Sequence, residues 1–131
     1  MGKVTVVGSG VMGKGIAYAF AISGYEVHVQ DISLENLRKA KEDIDALLDS
    51  SLEKGYLESN AYESAKKNLV FEPDLKKAAE GAELVVEAVI ERMDVKIDVF
   101  KQLDEICPPD TVLATNTSTM SQIGRAAVRE R

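Results

Sequence analysis

One cysteine, one histidine and three prolines in 131 residues leave little material for several common chemistries. A lone Cys107 builds no disulfide framework and no cysteine metal site within one chain, and it weakly favours an intracellular setting. His28 is the only histidine and sits inside an apolar run with no obvious partner, so a Cys–His nucleophile lacks its second member. An excess of basic residues is also missing. Sixteen Lys and Arg stand against 22 Asp and Glu, a net charge of −6. Nucleic acid or an anionic membrane surface would want a clustered basic face, so neither is expected as a partner. No apolar run approaches the roughly 20 residues of a membrane span. The first strand-like run starts at Lys3, which leaves no space for a signal or transit peptide, so the expected location is cytoplasmic. Repeats and low-complexity linkers are absent, and the length with 45% hydrophobic residues suits one domain over 1–131.

What the chain does contain is concentrated at its start. Lys3-Val4-Thr5-Val6-Val7 reads as a buried strand, Gly8-Ser9-Gly10-Val11-Met12-Gly13 as a glycine turn, and the residues after it as a helix. In a GxGxxG turn the first glycine permits the tight bend, the second lets backbone approach a pyrophosphate, and the third lets helix press on strand. The free N–H groups of the helix start then face the phosphate charge. A second apolar run, Glu26–Gln30, ends at Asp31, 18 residues beyond Gly13, where a carboxylate would meet the adenine ribose hydroxyls. A glycine-rich turn that binds nothing would share the spacing, but not the strand, helix and acidic residue in order.

Strand-length apolar runs alternate with helical periods, the pattern of a parallel sheet covered on both faces. Strands are expected at Lys3–Val7, Glu26–Gln30, Asn68–Phe71, Leu84–Val89 and Thr111–Thr115. Leu37, Ala40, Ile44, Leu47, Leu48 and Leu52 make one apolar stripe on a long helix that stops near Gly55. Its outer face carries Glu42, Asp43, Asp45, Asp49 and Glu53, a solvated helix face. Ser59 and Asp74 read as caps of two shorter helices, Asp94 as the start of a fifth that runs to Ile106, and Ser121 as the cap of a last one. The fold class is α/β, a doubly wound Rossmann-type parallel sheet of strand order 3-2-1-4-5. Its crevice opens between strands one and four, and the polar loops after strands one, four and five would all line it.

Three stretches, VTVVGSGVMGKGIA, VVEAVIERMDVKIDVFKQLD and LATNTSTMSQI, together resemble the NAD-binding domain of the L-3-hydroxyacyl-CoA dehydrogenases over nearly the whole chain. The resemblance implies oxidation of the 3-hydroxyl of an acyl-CoA thioester by hydride transfer to NAD, a step of fatty-acid β-oxidation. By position, Gly8, Gly10, Val11, Met12 and Gly13 would hold the pyrophosphate and Asp31 the adenosine ribose. NAD is expected over NADP, because a 2′-phosphate beside Asp31 meets like charge and Ile32 supplies no arginine. Val89, Glu91 and Lys96 match positions near the nicotinamide end, although a helix-start carboxylate and a surface lysine would explain the last two. Ser118 matches the serine that contacts nicotinamide ribose and substrate oxygen, with Asn116 shaping its loop; turn and cap roles are the alternative there. Lys54 falls where the family often has a basic residue near the CoA phosphates, and a lysine against a helix dipole accounts for it equally.

The family's general base is a histidine oriented by a glutamate, on a strand beyond the last residue of this sequence. His28, within the second strand, does not replace it. The resemblance therefore implies a sheet truncated before the family's next strand and a chain that turns over poorly or not at all by itself. An acyl-CoA substrate would be bound only together with the C-terminal portion. A stand-alone, non-enzymatic NAD-binding module is the alternative. The apolar run Thr111–Thr115, left as a sheet edge, is expected to self-associate.

Overall fold

The computed structural model describes residues 2–88, 93–107 and 111–115. Strands β1 (Lys3–Val7), β2 (Glu26–Gln30), β3 (Leu69–Glu72), β4 (Leu84–Glu87) and β5 (Val112–Thr115) alternate with helices α1 (Val11–Ile22), α2 (Leu34–Glu53), α3 (Ser59–Asn68), α4 (Leu75–Ala79) and α5 (Met93–Ile106). All strand pairs are parallel, in the order β3-β2-β1-β4-β5. The register aligns Glu72, Gln30, Val7, Glu87 and Thr115 in one row across the carboxyl edge. The chain leaves β1 toward β2 and later returns to β4 on its other side, so the switch point of the sheet lies where expected.

Alternation along each strand divides the core in two. Val6, Val27 and Val29 face one side, where they pack with Ala17 and Ala21 of α1, Ile44 and Leu48 of α2 and Ala65 of α3. Val7, Val85 and Leu113 face the other, against Ala79, Leu103 and Cys107. Ile44 and Leu48 are fully buried, which is worth about 1.5–3 kcal/mol for each side chain. Ala78 and Ala79 of the short α4 are equally buried, and the small side chains let that helix lie close to the sheet. The buried Thr5 hydroxyl donates to the Ala78 carbonyl, which satisfies both groups in this tight contact.

The long crossover between β2 and β3 covers α1. Ser33 caps α2 by accepting from the Asn36 N–H at 3.1 Å. Polar ties hold the helices together: Tyr18 to Ser51, Tyr62 to Asp49, and Lys14 to Asp43. The helix ends where Gly55, at φ +79°, turns the chain in the left-handed region.

Several sequence expectations need correction. Leu47 is 44% exposed, not core. Successive helical residues are about 100° apart; Leu48 points into the core, and Leu47, at the edge of the stripe, lies on the groove beside Val11 and Lys14. Ser59 is the first residue of α3 while Glu58 takes the cap position, and no side chain caps that end. The third strand begins at Leu69 because α3 runs on through Asn68. The fourth ends at Glu87 and the helix after it begins at Met93, one residue before Asp94. Asp74 does cap α4, accepting from the Lys76 N–H at 2.9 Å. The helix expected after Ser121 lies outside the described residues.

Candidate functional site

The glycine turn sits at the carboxyl edge between β2 and β4. Gly8 has φ +102°, a conformation that costs an L side chain strain, and its N–H donates to the Gln30 carbonyl at 2.7 Å. Across the switch point, the Ala88 N–H donates to the Val7 carbonyl at 2.8 Å. Gly13 is buried, and a Cβ there would press on the Gly8 carbonyl oxygen, 3.0 Å from the carbonyl carbon and 3.6 Å from Val6 Cγ1. Only glycine lets α1 start this close to β1. Gly10, by contrast, is exposed, and a Cβ on it would meet nothing within 4 Å. The space in front of the second glycine is open for a ligand.

Helix α1 is left ready for an anion. Gly10 caps it without a side-chain hydrogen bond, and its first turn carries no acidic residue. The first N–H groups therefore lack a side-chain acceptor, and the helix dipole adds partial positive charge. Val11 and Met12 beside them are 81% and 57% exposed. On the outer flank an open groove is lined by Val11, Lys14, Gly15, Asp43, Ala46 and Leu47.

Asp31 stands at the end of β2, half-buried and tied to the turn through Ser9. Its Oδ2 accepts from the Ser9 hydroxyl at 2.8 Å and the Ser9 N–H at 3.2 Å, and its Oδ1 accepts from the Ser33 N–H at 3.0 Å. A carboxylate offers about four acceptor positions, so capacity remains on Oδ1 for one more donor. Ser9 is the residue that the sequence did not single out. It occupies an unconstrained position of GxGxxG, and its partner is 22 residues away; only the register of β2 on β1 brings them together. The cradle thus fits a dinucleotide on three counts: open space at Gly10, uncapped N–H donors on α1, and a carboxylate at the ribose end.

The other expected positions lie outside the described residues or away from the cradle. Val89, Glu91, Asn116 and Ser118 lie outside the described residues. Lys96 falls within α5, with its side chain outside the described set. Lys54 caps the carboxyl end of α2, exposed, seven residues past Leu47, a rise of about 10 Å along the helix from the groove beside α1. His28 is half-buried on β2 and its Nε2 is 2.6 Å from Glu26 Oε2, so it is a strand residue and no part of the carboxyl edge. Glu87 is fully buried at that edge, a position that the sequence reading passed over because it lies inside an apolar run. No helix among the described residues is long and apolar enough to cross a membrane.

A doubly wound parallel sheet with a glycine-tight β1–α1 turn and an acidic β2 end defines a dinucleotide-binding domain. Residues 3–130 match the family model of the 3-hydroxyacyl-CoA dehydrogenase NAD binding domain, and the chain belongs to that family. Its cofactor is NAD. It is 44% identical over 124 residues to the 3-hydroxyadipyl-CoA dehydrogenase of Escherichia coli, covering 95% of this chain and 26% of that protein. A probable 3-hydroxybutyryl-CoA dehydrogenase of Bacillus subtilis is 36% identical, with 98% of this chain and 45% of the relative covered. The crystal structure of (S)-3-hydroxybutyryl-CoA dehydrogenase from Ralstonia eutropha superposes with a TM-score of 0.89 at 32% identity, over 98% of this chain and 45% of that one. The chain therefore spans less than half the length of these relatives.

Proposed function

We propose that this chain is the cofactor-holding part of an NAD-dependent dehydrogenase that converts an L-3-hydroxyacyl-CoA to the 3-ketoacyl-CoA. The observation that carries the reading is the open cradle at Gly10, closed behind by the Gly13–Gly8 contact and flanked by Asp31. Bound NAD supplies the hydride acceptor. The chain's own residues bind and orient it: the N–H groups at the start of α1 with Gly8, Gly10, Val11, Met12 and Gly13 hold the pyrophosphate, and Asp31 accepts a ribose hydroxyl. Asn116 and Ser118, on the segment after β5, act at the reacting end; the Ser118 hydroxyl donates to the substrate oxygen. Val89, Glu91 and Lys96 flank the nicotinamide, and Lys54 is a secondary contact for the CoA phosphates.

Oxidation of an alcohol also needs a base for the hydroxyl proton. The family resemblance implies a histidine in that role, and His28, the only one here, is tied to Glu26 on β2; in this reading the base comes from outside these 131 residues and the chain alone turns over slowly or not at all. The acyl chain and most of the CoA are likewise held with that further portion. A fluorescence titration with NADH, beside NADPH and an Asp31→Ala variant, tests the cofactor half of the reading. Saturable NADH binding that NADPH lacks and the variant weakens supports it; absence of binding by the folded chain refutes it. Complementation with the family's C-terminal portion, followed as NADH loss with acetoacetyl-CoA, tests the reaction.

A further inference from the structure

The Asp31 carboxylate is held by more than its own strand. Its Oδ1 bond to the Ser33 N–H is local, two residues along the chain, and holds the side chain only against its own stretch of backbone. The two bonds from Ser9 to Oδ2 are different, because they tie the carboxylate to the glycine turn on another strand. Ser9 is only 4% exposed. A hydrogen bond to a charged acceptor, shielded from water on the donor side, is stronger than an exposed neutral one. With Oδ2 occupied by two donors, the remaining acceptor capacity lies on Oδ1, and the carboxylate has a single preferred orientation before any ligand arrives.

We infer that Ser9 is a positioning residue that sets the choice between NAD and NADP by locking the Asp31 carboxylate at the ribose site. The inference rests on the cofactor reading above and deepens it. Like-charge repulsion alone would exclude a 2′-phosphate weakly at an exposed site, since a mobile carboxylate can swing into solvent. Asp31 cannot swing away without breaking both Ser9 bonds as well as the local bond from Ser33. The lock therefore keeps negative charge where a 2′-phosphate would sit, and at the same time presents Oδ1 to a ribose hydroxyl without a reorganisation cost.

The test is the ratio of dissociation constants for NADPH and NADH, read by fluorescence titration of the wild type, Ser9→Ala, Ser9→Thr and Asp31→Asn. Ser9→Ala keeps the backbone N–H bond and loses the hydroxyl bond, so its ratio should fall between those of the wild type and Asp31→Asn. Loss of one hydrogen bond to a charged group predicts a drop of about tenfold in that ratio. Ser9→Thr retains the hydroxyl and should keep the wild-type ratio even if both constants weaken. A Ser9→Ala ratio equal to the wild type overturns the inference, as does equal weakening of both cofactors, which would make Ser9 only a scaffold of the turn. Wild-type protein that binds neither cofactor would instead overturn the underlying reading, and the inference with it.

Discussion

Adding one methyl group to each of three glycines at the start of α1 should give three different outcomes. At Gly13 the new Cβ would sit 3.0 Å from the Gly8 carbonyl carbon and closer still to its oxygen. Neither atom can yield without prising α1 from β1. Overpacking of this kind costs about 1–3 kcal/mol, offset by about 1 kcal/mol of helix propensity, so Gly13→Ala should lose roughly 0–2 kcal/mol and its NADH binding. At Gly15, two residues along the same helix, nothing lies within 4 Å, so Gly15→Ala should gain about 0.4–1 kcal/mol from reduced freedom of the unfolded chain. Gly10 also has nothing within 4 Å, and its φ of −74° and ψ of −166° are open to alanine. Gly10→Ala should therefore change stability by only about 0.5 kcal/mol, the difference between glycine and alanine at a cap. Its methyl nevertheless fills the space kept for the pyrophosphate, and NADH affinity should fall at least tenfold, about 1.4 kcal/mol. Urea unfolding followed by circular dichroism, with NADH titration of each variant, separates the cases. The reasoning is refuted if Gly13→Ala is as stable as Gly15→Ala, or if Gly10→Ala binds NADH as the wild type does.

Other substitutions follow from burial. Ile44→Ala empties a fully buried position between α2 and the sheet and should cost about 2–5 kcal/mol in urea unfolding. Thr5→Val leaves the Ala78 carbonyl without its buried donor and should cost about 1–3 kcal/mol, with NADH affinity unchanged because Thr5 lies within β1, before the glycine turn. Among the described residues β5 pairs with β4 alone, and Val112 on it is 54% exposed; this chain should show concentration-dependent mass by light scattering, and a constant monomer mass would contradict that.

Much of the architecture was legible because short valine-rich segments bounded by turns read as strands, and Lys3–Val7 and the alternating Glu26–Gln30 were found to the residue. The glycine turn was legible for a similar reason, since each glycine answers a separate steric demand. What escaped depends on partners that composition cannot show. Periodicity grouped Leu47 with Leu48, but the groove beside Val11 and Lys14 takes one and the core takes the other. Ser59 has the chemistry of a cap, yet the chain enters α3 a residue earlier. Ser9 carried no signal at all, because its role exists only once β2 is registered against β1 and Asp31 arrives beside the turn.

The two cores also differ in when their residues become available. Among the described residues, every member of the core under α1, α2 and α3 falls between Val6 and Phe71, whereas the opposite core takes Val7 from β1 and the rest from Leu75 to Leu113. A chain growing from its N-terminus therefore completes β1, β2, β3 and their helical cover before the residues of the second core exist. The sheet is built outward from a finished first half, with Val7 as the surface on which the second half condenses. Hydrogen exchange on chains arrested during synthesis after Glu72 should already show protected amides in β1 to β3; protection that appears only once β4 and β5 are made would show that the halves fold as one unit. If the order holds, the ribose end of the cradle, where Ser9 meets Asp31, is assembled before the switch point that will receive the rest of the cofactor.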